Sequence, residues 1–271
     1  MITNCELPLN MLKDNNRLND YDFILYHLMD ECEEYRIYFM KQKKDRISIL
    51  DNSAYEFFIK GKELDWDRFY YAKEILNPTF FILPDTLMDM NKTLESVEKF
   101  INLYKDSKDN GIAVVQGNSK EELIYCAKRY KELGINKIAI PFHNSFFKEM
   151  GWYVDEDITM EFVKEYGSYM TEDHLYAMGR VQFMRDYKDV FNHDNFVWIH
   201  MLGSHCPLEK KFYREMDSMD TGYPVKCAIV GHSLGREPMK PNIIIDEFLN
   251  KKLDKKTKEL IRDNIKVFKG Y

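Results

Sequence analysis

Polar residues able to do chemistry recur just after short apolar runs. Ile47–Leu50 leads into Asp51-Asn52-Ser53-Ala54-Tyr55-Glu56, Phe80–Leu83 into Pro84-Asp85, and Ile112–Val115 into Gln116-Gly117-Asn118. Val197–His200 leads into Met201-Leu202-Gly203, and the stretch from Met216 to Pro224 adds Asp217 and Asp220. Carboxylates set beside a carboxamide can move protons, accept hydrogen bonds from a ligand and attack an electrophilic carbon. Taken singly, an Asp at such a position more often caps the next helix. Taken together, beside Gln116 and Tyr55, these residues point to one shared site.

Elements of matching type must position them. The apolar runs Phe23–Tyr26, Ile47–Leu50, Phe80–Leu83, Ile112–Val115, Lys137–Ile140, Val197–His200 and Val225–Val230 read as strands. Several are continuous, as in parallel strands covered on both faces. Amphipathic stretches lie between them. Residues 92–107 carry Leu94, Val97, Phe100, Ile101 and Tyr104 at helical spacing. Residues 119–133 open on a Ser119/Glu122 capping box, place Leu123, Ile124, Ala127 and Tyr130 on one face and stop at Gly134. This alternation predicts an α/β protein with a parallel sheet. Seven or eight strands in 271 residues favour a (β/α)8 TIM-type barrel over an open doubly wound sheet. The expected organisation is a single domain over 1–271, with a helical insertion at 143–196 and a C-terminal helical segment at 240–271. In that last segment Ile261, Ile265 and Phe268 share a face that would dock on the barrel or on a second subunit. In a β/α barrel the loops after the strands form the working face, so the polar segments would share one mouth.

Composition narrows the function classes. With 45% hydrophobic and 31% charged residues the chain suits a soluble globular protein with a sizeable core. No apolar run reaches the roughly 18 residues of a membrane helix, and the N-terminus lacks a secretory pattern. Five cysteines without a C-x-x-C pattern suggest free thiols in a reducing compartment, hence the cytoplasm. A net charge of −6 means that any nucleic acid must be held by local basic patches. Two clusters stand out: Lys41, Lys43, Lys44 and Arg46, then Lys251, Lys252, Lys255, Lys256 and Lys258. Each reads as a solvated face unless phosphates are shown to bind there. Arg214 and Arg236 fall nearer the expected mouth and are the better phosphate contacts.

The ordered segments Asp51-Asn52-Ser53-Ala54-Tyr55-Glu56, Pro84-Asp85, Val114-Val115-Gln116-Gly117, Leu202-Gly203 and Asp217-x-x-Asp220-x-x-x-Pro224 resemble the signature segments of tRNA-guanine transglycosylases. They look closer still to the short phage and bacterial DpdA-type relatives that act on DNA. The resemblance spans residues 47 to about 230. It implies a pentosyltransferase that exchanges guanine in DNA for a 7-deazaguanine base, with 7-cyano-7-deazaguanine (preQ0) as the expected donor. Asp220 resembles the nucleophile and Asp51 the acid/base residue. Tyr55 takes the place of an aromatic ring stacked on the base. Asp85 and Gln116, with the Gly117 backbone, resemble the pair that reads the base edge. Leu202 and Gly203 occupy the position that closes its other face. The glutamine that usually follows the stacking ring is Glu56 here. The glycine pair after the next strand is replaced by Pro141-Phe142, a departure that alters the contacts expected to the 7-substituent and leaves Phe142 as a candidate substrate contact. The zinc motif of the tRNA enzymes is missing, with Cys227 alone in that region. The resemblance implies no metal or redox cofactor. It implies DNA as partner, tRNA as the alternative, a free base as co-substrate, no membrane, and the host cytoplasm if the chain is phage-encoded. A homodimer or an accessory protein is left open. A barrel glycoside or nucleoside hydrolase using the same carboxylates is the alternative from another class.

Exchanging a base on an intact strand with retention requires two displacements. That calls for a carboxylate nucleophile and a second acid/base group. The guanine edge offers two donors to Asp85, and Gln116 suits the O6 side. An aromatic ring replaces the stacking lost when the base leaves the helix. Two motifs compete for attention. Gly231-His232-Ser233-Leu234-Gly235 fits a nucleophile elbow, but no histidine follows His232 to complete a triad. His200, His205 and Cys206 match no standard zinc spacing, and His27 and His143 read as structural residues.

Overall fold

The structure is a computed structural model and describes residues 1–42, 45–234 and 249–270. Eight strands form one sheet: β1 (Ile2–Cys5), β2 (Asp22–Leu25), β3 (Ser48–Asp51), β4 (Phe80–Ile82), β5 (Gly111–Val114), β6 (Lys137–Pro141), β7 (Trp198–Leu202) and β8 (Ser218–Thr221). Their order is β1-β8-β7-β6-β5-β4-β3-β2. The strands are parallel and helices alternate with them. The protein is α/β, with the strand order of a (β/α)8 TIM-type barrel. It divides into two compact units: Met1–Asp20, Pro141–Asn192 and Met201–Tyr271 in the first, Tyr21–Ile140 and His193–His200 in the second.

In the second unit the apolar runs become strands because β-branched and aromatic residues suit a sheet covered on both faces. Leu25 pairs with Asp51, Leu50 with Phe81 and Ile82 with Ile112, so consecutive strand ends stay in step. Phe69, Phe81 and Phe100 pack as tilted rings 6.1–6.3 Å apart. The Met90–Leu103 helix starts at Asp89, whose side chain accepts from the Lys92 N–H, and ends earlier than its periodicity predicts. A separate turn of helix follows at Ser107–Asn110. The Lys120–Glu132 helix starts at Ser119, whose hydroxyl accepts from the Glu122 N–H at 3.2 Å. Glu122 reaches the Asn118 N–H rather than that of Ser119, so only half of the expected capping box forms.

In the first unit β1 and β8 pair with Asn4 opposite Asp220. The Val225–Val230 run is not a strand: Tyr223–Ile229 is a helix with Pro224 in its first turn. Proline has no N–H for a ladder but tolerates the start of a helix. Residues 223–228 are all buried, which explains why the run lacks a polar face. The Lys255–Lys269 helix buries Ile261, Ile265 and Phe268 and packs on Tyr223–Ile229, so its apolar face is spent within its own unit. Buried Asn264 fastens it, accepting from the Leu234 N–H and donating to the Pro224 and His232 carbonyls. Residues 145–186 contribute the helices Ser145–Met150, Glu156–Tyr166 and Glu172–Asp186. The first and last of these cross at backbone contact. A Cβ on Gly179 would lie 1.8 Å from the Phe147 carbonyl oxygen, and one on Gly151 2.2 Å from that of Leu175.

Candidate functional site

The second unit assembles its polar group at the ends of β3, β4 and β5. Asp51 closes β3, is only 7% exposed, and accepts from the Ser53 N–H at 2.7 Å. Ser53 sits in the left-handed region at φ 59°, and its hydroxyl accepts from the buried His27 N–H at 3.1 Å. That contact holds the unusual turn before the Ala54–Ile59 helix. Asn52 bridges two strand ends. Its amide donates to the Leu83 carbonyl and to one Asp85 oxygen, both at 2.7 Å, while its own oxygen accepts from the Ala54 N–H. Gln116 donates to the other Asp85 oxygen at 2.7 Å and accepts from the Met88 N–H at 2.9 Å. The carboxylate and carboxamide assigned to one base edge are therefore in direct contact. Removal from water raises the Asp85 pKa, against the lowering pull of the Asn52 and Gln116 amides. Gly117 brings the chain so close to the next helix that a Cβ would lie 2.7 Å from that of Glu122. Tyr55 is 43% exposed, whereas Glu56 is buried.

The first unit holds Asp220 on β8. It is 4% exposed and accepts from the Gly203 N–H at 2.8 Å. Gly203 has φ +68°, a conformation suited to glycine. Thr221 donates to the Ser204 carbonyl and accepts from the Tyr223 N–H, tying the end of β8 to the loop after β7. That loop is pinned from beneath. Arg180, fully buried, donates to the Leu202 and Gly203 carbonyls at 3.3 and 2.9 Å and to both Glu209 oxygens. Its guanidinium also lies 4.8 Å from the centre of the Phe142 ring. Phe142 is 2% exposed, so it acts as a wall under the loop rather than offering a face. Tyr213 and Ser204 donate to Glu209 as well. Burial, then the Glu209 charge, pushes the Tyr213 hydroxyl well up and keeps it a donor.

The remaining expectations scatter. Arg214, Lys251 and Lys252 are exposed, compatible with a phosphate surface but not shaped into a site. Arg236, Lys43 and Lys44 lie outside the described residues. Arg46 is engaged with buried Asp22 at 2.8 Å, which removes it from its expected basic cluster. The elbow reading of Gly231–Gly235 loses its strand, because a helix precedes it; Gly235 is outside the described residues. His200 lies within β7, not at its end, and stacks on Phe23 with centroids 5.5 Å apart. Cys206 is buried beside the Tyr166 hydroxyl. His205 instead meets His143 and Asp173, a grouping that no short spacing announces. Asn52 and the Arg180–Glu209 pair were also missed as positioning residues; each joins partners far apart in sequence. No protein-family model and no curated protein matches the chain.

Proposed function

We propose that the protein is a guanine transglycosylase that acts on DNA, exchanging guanine for a 7-deazaguanine base, with the 7-cyano compound as donor. The observation that carries the reading is the Asp85–Gln116 contact, completed by Asn52. A carboxylate oxygen has two lone pairs, and each Asp85 oxygen spends one on an amide. The Asp85 backbone N–H also points at the carboxylate, and in this reading the remaining acceptor capacity serves the N1–H and amino edge of guanine. The second N–H of Gln116 suits O6. Tyr55 stacks on the extruded base.

In this reading an Asp220 oxygen attacks C1′ as the bond to N9 of guanine breaks. The electron pair leaves with the base, which takes a proton from Asp51. The incoming base then gives its N9 proton to Asp51 and attacks C1′, releasing Asp220. Two inversions retain configuration. Gly203 orients the Asp220 carboxylate through its N–H.

The test is base exchange with radiolabelled guanine on duplex DNA, single-stranded DNA and tRNA, beside the Asp220→Ala variant. Label entering DNA, and lost by at least about a thousandfold in the variant, is expected. Label entering tRNA alone assigns the tRNA reaction instead. Nucleoside hydrolysis without exchange assigns a barrel hydrolase using the same carboxylates.

A further inference from the structure

We infer that His143, Asp173 and His205 form a binding site for one divalent transition-metal ion. Each offers a ligand atom, and these atoms lie within 4.8 Å of one another. The three come from separate elements of the first unit. His143 follows β6, His205 follows β7, and Asp173 is in the first turn of the Glu172–Asp186 helix.

Each ligand is held by its neighbours. Asn144 caps the Ser145–Met150 helix through its side chain, fixing the turn that carries His143. Ser204 and Cys206, on either side of His205, are buried and joined by a hydroxyl-to-carbonyl hydrogen bond. The rings of His143 and His205 lie 4.9 Å apart at 78°. Nδ1 of His205 is 3.1 Å from an Asp173 oxygen. Phe142, Tyr176 and Tyr223 pack against the imidazoles at 5.0–5.9 Å.

The donor set selects the ion. Two imidazoles and one carboxylate suit zinc, cobalt or ferrous iron, whereas magnesium and calcium prefer oxygen alone. Bonds of about 2.0–2.1 Å in a tetrahedron bring ligand atoms to about 3.4 Å of each other. Binding an ion would therefore draw the three ligand atoms together from their present separation of up to 4.8 Å. Three protein ligands leave a fourth position for water or another oxygen donor.

Full-length protein, stripped with a chelator, is titrated with Zn²⁺ by calorimetry and with Co²⁺ by visible absorption. One ion per chain is expected, with the cobalt spectrum of a four- or five-coordinate nitrogen/oxygen site. His143→Ala, Asp173→Asn and His205→Ala should each weaken binding at least about tenfold, while His193→Ala leaves it unchanged. His143 is exposed, so its variant keeps the fold, and circular dichroism checks the other two. Absence of stoichiometric binding by the unaltered protein overturns the site. So does binding that survives all three substitutions, or a cobalt spectrum of six oxygen ligands.

Discussion

Asp85 and Glu209 are both carboxylates withdrawn from water, and the protein treats them in opposite ways. Glu209 is fully buried, faces the Arg180 guanidinium, and also receives the Tyr213 and Ser204 hydroxyls. Its oxygens take four donors between them, so nothing is left for a ligand. Asp85 receives the neutral amides of Asn52 and Gln116, one on each oxygen, and its own backbone N–H, with no cation paired to it among the described residues. Its charge is opposed by dipoles alone, and its pKa rises because water is removed. A saturated ion pair makes a brace; a carboxylate held by amides keeps capacity for a ligand and stays titratable. The contrast separates what positions the loop after β7 from what the ends of β3, β4 and β5 could recognise.

The brace should break hardest. Arg180→Met leaves Glu209 buried without its counter-charge and frees the Leu202 and Gly203 carbonyls. A loss of about 3–5 kcal/mol is expected in urea-induced unfolding. Glu209→Leu added to it should restore part of the loss, because the uncompensated charge is then gone. If Arg180→Met alone costs under about 1 kcal/mol, Glu209 is neutralised in some other way and the contrast with Asp85 fails.

The amide cradle should yield less, and in a pH-dependent way. Asn52→Ala removes one Asp85 donor and the tie to Leu83, a cost of about 2 kcal/mol at neutral pH. A carboxyl whose folded pKa is raised lends stability that is complete below its unfolded pKa and lost as pH rises through the folded value. Asn52 favours the ionised form, so without it the folded pKa climbs further. The Asn52→Ala penalty should therefore grow as pH rises from acid through that range. A penalty of constant size across the titration would mean that Asn52 supports the backbone only.

These same regions show how far the sequence could be read. Strands β2 to β7 were legible as apolar runs bounded by turn residues. Strand β8 was not: Ser218-Met219-Asp220-Thr221 has one apolar side chain, and its place is set by pairing with β1. The apolar run that follows was misread because burial on every side hides the helical period, although Pro224 marked a helix start. Asp85 and Gln116 were legible from their positions after strands. Their bridge was not, because Asn52 reaches Asp85 across 33 residues and only the parallel register of β3 and β4 brings them together. Arg180 and Glu209 carried no signal beyond being charged, since a buried pair is recognisable only once both side chains are placed.

The smallest structural effect is expected at Tyr55, and it sharpens the recognition half of the comparison. The residue lies on a helix of six residues and is 43% exposed. Tyr55→Ala should therefore change unfolding stability by no more than about 0.5 kcal/mol. A ring that stacks on a base is worth about 1–3 kcal/mol in binding, so under the proposed function the variant should raise KM for DNA by roughly five- to 150-fold. Tyr55→Phe keeps the face, loses only the hydroxyl, and should behave like the unaltered protein. If Tyr55→Ala leaves KM unchanged, the base has another platform, and Asp85 and Gln116 would then be reading an edge presented from a different direction.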